Sequence, residues 1–249
     1  MHAVWKILGL AMTFAMASAS PKNLGDYFSL CERSNADLSG CVVRSILDAK
    51  PRLSKGIPEM NLPPMEPLFI PLLENTEGSG NNQFSQKLSN VSIHGLSQFV
   101  IKECRVPRNL TRIYLDMFTP VITFDAQYEI HGRVLALPIS GSGDCKLVFN
   151  EVRTIADVPI SRVQRDGKEY LHADPFKWII RAESGTVHFD NLFNGDEKLG
   201  ETMNKFLNEN WKDAFEAYKH LPEEAMGSVF TEFFNRVADV YPLDVMFPA

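Results

Sequence analysis

The spacing of apolar residues changes period twice along the chain. From Asn35 onward Leu38, Val42, Ile46, Ala49 and Leu53 recur at helical steps and predict a helix ended by Gly56 and Pro58. Pro51 is placed to bend or stop its last turn. Ile57 to Pro71 carries five prolines, too many for a helix or a central strand, and predicts an extended connector lying against the body. Asn75 to Asn82, rich in Gly, Asn and Ser, predicts a loop. From about Gln83 to Phe193 the pattern alternates. Ile122, Phe124, Ala126, Tyr128 and Ile130 share one face, and Thr123, Asp125, Gln127, Glu129 and His131 share the other. Ile113, Leu115 and Met117 repeat the pattern, as do Phe176, Trp178, Ile180 and Ala182 set against Lys177, Arg181 and Glu183. Turn signals at Gly141 to Gly143, Asp166-Gly167, Ser184-Gly185 and Asn194-Gly195 divide the region into antiparallel strands with one apolar face.

After Asp196, a good N-cap, the helical period returns. Leu199, Met203, Phe206, Leu207, Trp211, Ala214, Phe215 and Tyr218 form one stripe, a helix of about six turns. Pro222 predicts an interruption, followed by a second helix through Met226, Val229, Phe230, Phe233, Val237 and Val240. The order helix, strands, helices predicts an α+β chain whose helices cover the apolar face of a sheet, and a curved sheet around a long helix is one solution. The same periodicity fits a space between them filled by side chains and one that holds a ligand.

The first residues add a compartment. Lys6, the apolar run Ile7 to Met16 and the small residues Ala17 to Ser20 ahead of Pro21 read as a secretory leader over residues 1–19, cut near Ala17 or Ala19. That run is shorter than the roughly 18 apolar residues needed to span a bilayer, and no later segment is long and apolar enough to do so. Residues 20–249 are ample for one domain. The net charge of −6 becomes slightly more negative when Lys6 leaves with the leader, and no Lys/Arg cluster argues for nucleic acid or anionic lipid. Four cysteines in an exported chain allow three pairings. Cys31 and Cys41 flank a helix start and close a local loop easily, so we favour that bridge; Cys104 and Cys145 are then either a second bridge between neighbouring strands or two buried thiols. Asn90-Val-Ser92 and Asn109-Leu-Thr111 are N-glycosylation acceptors that would lie at the surface if used.

Catalytic motifs are missing from the sequence. It has no Gly-x-Ser-x-Gly elbow, no His-Glu-x-x-His and no phosphate loop, and Lys146 stands where a dinucleotide fingerprint starting at Gly141 needs its third glycine. His94, His131, His172 and His188 share no spacing, and no Cys-x-x-Cys accompanies them, so neither a metal nor a cofactor is expected. A hydrolase with a dispersed triad has no candidate residue here.

Several stretches together resemble one family. Cys31 to Pro71, with Lys55-Gly-Ile-Pro-Glu59 and Pro63-Pro-Met-Glu-Pro67, is similar to the N-terminal signature of the insect takeout and haemolymph juvenile hormone-binding protein family. Tyr128-Glu-Ile-His-Gly132 with Leu137-Pro-Ile-Ser-Gly-Ser-Gly143 resembles its central strand and Gly-x-Gly turn. Asn191-Leu-Phe-Asn-Gly195 with Phe206-Leu-Asn-Glu-Asn-Trp211 resembles the start of its long C-terminal helix, and Tyr241 to Pro248 resembles its tail. The resemblance implies the tubular lipid-binding fold, in which a curved antiparallel sheet wraps a long helix around an apolar tunnel. It also implies the Cys31–Cys41 bridge and a terpenoid, fatty or quinone-like ligand. Haemolymph carriers of juvenile hormone add a second bridge into the C-terminal half; this chain has no cysteine after Cys145 and resembles the takeout-like branch more closely. The expected protein is therefore a secreted, monomeric carrier of one small hydrophobic ligand and not an enzyme, with a surface that binds another protein as the alternative. Phe124, Tyr128, Trp178, Trp211 and Phe215 are the candidate tunnel residues, and Tyr128 is the candidate hydrogen-bond donor to a ligand oxygen.

Overall fold

The computed structural model describes residues 23–77, 84–135, 137–176 and 178–249. The leader and residues 78–82 of the predicted 75–82 loop lie outside them, while residues 75–77 are strand and not loop. Helix α1 (Leu38–Lys55) starts where Asp37 accepts from the Gly40 N–H and ends at Gly56, whose φ of 81° suits glycine. Pro51 does not stop it. That face of the helix is exposed, so the carbonyl that Pro51 leaves unpaired is open to water. The Cys31–Cys41 disulfide ties the preceding segment to the first turn of α1.

Eight strands follow: β1 (Leu68–Glu77), β2 (Phe84–His94), β3 (Val100–Arg105), β4 (Arg112–Val134), β5 (Leu137–Arg165), β6 (Lys168–Ala173), β7 (Ile179–Arg181) and β8 (Ser184–Phe189). All pairings are antiparallel in the order β1-β2-β4-β5-β6, with β3 on β4 and with β7 and β8 on β5. The 29 residues of β5 would run about 95 Å if straight, at about 3.3 Å per residue, so the strand has to curl with its partner β4. The curl is accompanied by a slip of phase. Thr119 pairs with Val152 and Val121 with Asn150, while Pro120 and Glu151 between them are unpaired and Glu151 adopts a φ of 52°. Inward positions on β4 therefore change from Ile113, Leu115 and Met117 to Ile122, Phe124 and Ala126.

Several breaks expected from the sequence fall elsewhere, among them Ser184-Gly185, which opens strand β8 instead of turning the chain. Pro71 belongs to β1, where an edge strand tolerates its missing donor. Gly141 to Gly143 is no turn but part of β5, since β4 ends at Val134 and β5 already begins at Leu137. A Cβ on Gly143 would lie 2.8 Å from the carbonyl of Asp190, so this glycine serves the close passage of a distant segment over the strand. Besides the expected interruption near Pro222, which falls at Lys219, the C-terminal helix breaks at Asn210, between α2 (Glu197–Glu209) and α3 (Trp211–Tyr218). There the Asn210 side-chain amide donates to the Phe206 carbonyl. Pro222 sits in the first turn of α4 (His220–Ala238), where no helical N–H bond is lost. A short α5 (Leu243–Met246) closes the chain.

The helices are pinned to strand backbones by side-chain amides. Asn204 donates to and accepts from Phe189, and Asn208 does the same at Val187, all at 2.8–2.9 Å. Asn235 of α4 bonds both groups of Ala173 in the same way. Cys104 and Cys145 are free thiols. They face Leu115 and Ala126 respectively, eleven residues apart along β4, whereas a bridge needs Cα atoms within about 7 Å; the second-bridge reading is excluded. Burial pushes the Cys104 thiol up to about 11 and the Cys145 thiol up to about 12.

Candidate ligand-binding cavities

The curl of β4 and β5 and the aromatic stripes of the helices enclose space that side chains do not fill. Two apolar chambers lie inside, of about 350 and about 230 Å³. The larger is walled by α1 through Val42 and Ile46, by the first half of β4, and by Phe233, Phe234 and Val237 of α4. It reaches the exposed Ser29 and Leu30 beside the disulfide. The smaller is walled by β2, the second half of β4, the first half of β5 and the inner face of α3. The phase slip of the two long strands thus separates the walls of the two chambers. Leu96, Ile122, Thr154 and Trp178 belong to both and form a waist.

In the smaller chamber Phe124, Phe149, Phe215 and Trp211 follow one another as an aromatic chain with centroids 6.1, 5.3 and 6.2 Å apart. Gly185 makes room for it, because a Cβ there would lie 2.8 Å from the Phe149 ring and 2.9 Å from the Trp211 ring. At the waist Trp178 stacks on Phe230 at 4.6 Å. Its backbone N–H donates to the Glu223 carbonyl, and the Glu223 carboxylate accepts from the Ile180 N–H at 2.9 Å. Four of the five residues singled out from the sequence therefore stand on chamber walls. Phe149, Phe230 and Phe233 join them without having been singled out as cavity residues, although their alternating and helical positions mark the same apolar faces.

Tyr128 is the exception. Its hydroxyl donates to the Asp190 carbonyl, its ring meets Phe189 edge-on at 5.0 Å, and it borders neither chamber. The expected role as a hydroxyl donor to a ligand is corrected: the segment crossing Gly141 and Gly143 engages that hydroxyl. Among the described residues no three His, Cys, Asp or Glu side chains gather into a metal-binding group.

The sequence profile of the family described as haemolymph juvenile hormone binding protein matches residues 8–248. The chain belongs to this family. Among relatives of this chain, the circadian clock-controlled protein daywake of Drosophila yakuba is 27% identical over 229 residues, covering 88% of this chain and 87% of that one. Its counterpart in Drosophila melanogaster is 26% identical over 200 residues and covers 77% of each. The crystal structure of Takeout 1 from Epiphyas postvittana matches with a TM-score of 0.75 at 22% identity, covering 88% of this chain and 99% of that one. The fold of that structure, a curled antiparallel half-barrel closed by a few helices, is thus shared. Among the described residues no helix is long and apolar enough to cross a membrane.

Proposed function

We propose that the protein is an exported carrier that encloses one elongated apolar molecule, of terpenoid, fatty or quinone type, in the two adjoining chambers. The pair of chambers carries this reading, because a protein interior of this kind is otherwise close-packed. Burying about 300 Å² of ligand surface at about 25 cal/mol per Å² corresponds to about 7.5 kcal/mol before the cost of immobilisation, so apolar burial supplies the main driving force without any charged contact. Phe124, Trp178, Trp211 and Phe215 would contact the ligand. Export rests on the leader-like residues 1–19, and glycans would attach at Asn90 and Asn109, both of which are exposed.

The test is solvent extraction of the natively folded, secreted protein followed by mass spectrometry. A stoichiometric apolar compound is the expected result. An empty extract, with no uptake of added terpenoids or fatty acids, would overturn the carrier reading in favour of a protein partner.

A further inference from the structure

The wall of the larger chamber carries two buried hydroxyls. Alternation along β4 turns Thr119 inward with Ile113, Leu115 and Met117, and alternation along β5 turns Thr154 inward with Ala156 and Val158. Both threonines are 4% exposed. Neither hydroxyl finds a partner among the described residues, and neither is sealed from the chamber it lines. The other buried polar side chains among those residues differ: Asp116 holds Arg153, Glu223 accepts from the Ile180 N–H, and Asn75 borders neither chamber.

The register brings the two hydroxyls together. Thr119 pairs with Val152 and Thr154 with Met117, so the threonines are diagonal neighbours, a relation that sets residues about 7–8 Å apart at the backbone. Two O–H···O bonds of about 2.8 Å from rotatable hydroxyls can converge across such a gap on one oxygen, which has two lone pairs. Thr154 also borders the smaller chamber, so the pair stands beside the waist. No charged side chain among the described residues lines the larger chamber, and an ionised carboxylate brought there would lie without a counter-charge.

We infer that Thr119 and Thr154 form a polar subsite for one neutral oxygen of the ligand, that of an ester, ketone, ether or alcohol. Hydrocarbons and ionised fatty acids gain nothing from it. This inference rests on the carrier reading and narrows its ligand class.

Four probes of equal carbon number test it: octyl octanoate, with its ester mid-chain; methyl pentadecanoate, with its ester at one end; hexadecane; and hexadecanoate at neutral pH. Dissociation constants would come from displacement of a fluorescent apolar probe. Valine keeps the branched shape of threonine and removes the hydroxyl, so the variant combines Thr119→Val with Thr154→Val. It is expected to weaken at least one ester by about fivefold or more, the equivalent of one hydrogen bond of about 1 kcal/mol, and not to weaken hexadecane or hexadecanoate. Esters weakened no more than hexadecane would overturn the subsite, and hexadecanoate weakened as much as an ester would overturn its preference for a neutral oxygen. A second readout needs no variant. The isotope-labelled carbonyl of the bound ester should stretch at lower frequency than in liquid hexadecane, because a hydrogen bond weakens the C=O bond, and an unshifted band for both esters would overturn the proposal. Failure of all four probes to bind would instead remove the carrier reading itself.

Discussion

The hydroxyl of Tyr128 is committed to the protein's own backbone. Burial above all, with Cys145 and Asp190 nearby, pushes the phenol up to about 12, so it remains a neutral donor to the Asp190 carbonyl under any physiological condition. Tyr128→Phe should therefore lower the unfolding free energy by about 1–2 kcal/mol, through the unpaired carbonyl, and leave ligand affinity unchanged. Urea unfolding and displacement titration together check this, and a loss of affinity without a loss of stability would return the residue to the ligand. Alternation told correctly which face Tyr128 is on, since it is 3% exposed. Alternation could not tell which inward side chains would be covered by another segment, because the Asp190 carbonyl arrives from 62 residues further along the chain. Phe124, Trp178, Trp211 and Phe215 pack against other aromatic rings and still stand on the chamber walls.

At the level of elements, the loop carrying Leu96 to the waist is fastened by a carboxylate from a different part of the chain. Glu66 accepts from the Gly95 N–H at 2.9 Å and from the Ser97 N–H and hydroxyl at 3.0 and 2.9 Å. Burial pushes its carboxyl up, but these hydrogen bonds, with His94 nearby, outweigh burial and hold it below its ordinary value of 4.5. A carboxyl lowered on folding stabilises the native state fully above its unfolded value, and the contribution disappears as pH falls through the folded value. Stability should thus decline as pH falls below about 4.5 and through the lowered folded value, and Glu66→Gln should flatten that slope while speeding amide exchange at Gly95 and Ser97 at neutral pH. Unfolding free energies measured across that range decide the matter; an unchanged slope in the variant would assign the acid sensitivity to other carboxyls. Glycine and proline were the least legible elements for a related reason. Both read locally as breaks, yet Gly143 is explained by Asp190 and Pro71 by its place on an edge strand, facts that only the assembled sheet supplies. The helix α1 and the change of phase between Met117 and Ile122 depend on neighbours in sequence, and both are visible in the sequence pattern.

At the scale of the whole molecule, the order of helix, strands and helices was enough to place an apolar sheet face under a helical cover. Periodicity stopped short of the hollow between them, because an inward aromatic side chain has the same spacing whether it touches a neighbour or a void. The helices stand over that hollow on the amides of Asn204, Asn208 and Asn235, which reach the sheet at its margins. This has a consequence for the molecule among its own copies. The outward N–H and C=O of Val187 and Phe189 are the groups with which a bare strand recruits another chain, and the two asparagines of α2 already occupy them. Asn208→Ala would uncover the pair at Val187, and sedimentation velocity at rising concentration should then show self-association in the variant and a monomer in the native chain. The amides that keep the cavity roofed thus also close the β8 edge, so that at this margin a protein with a greasy interior offers its neighbours no strand to extend.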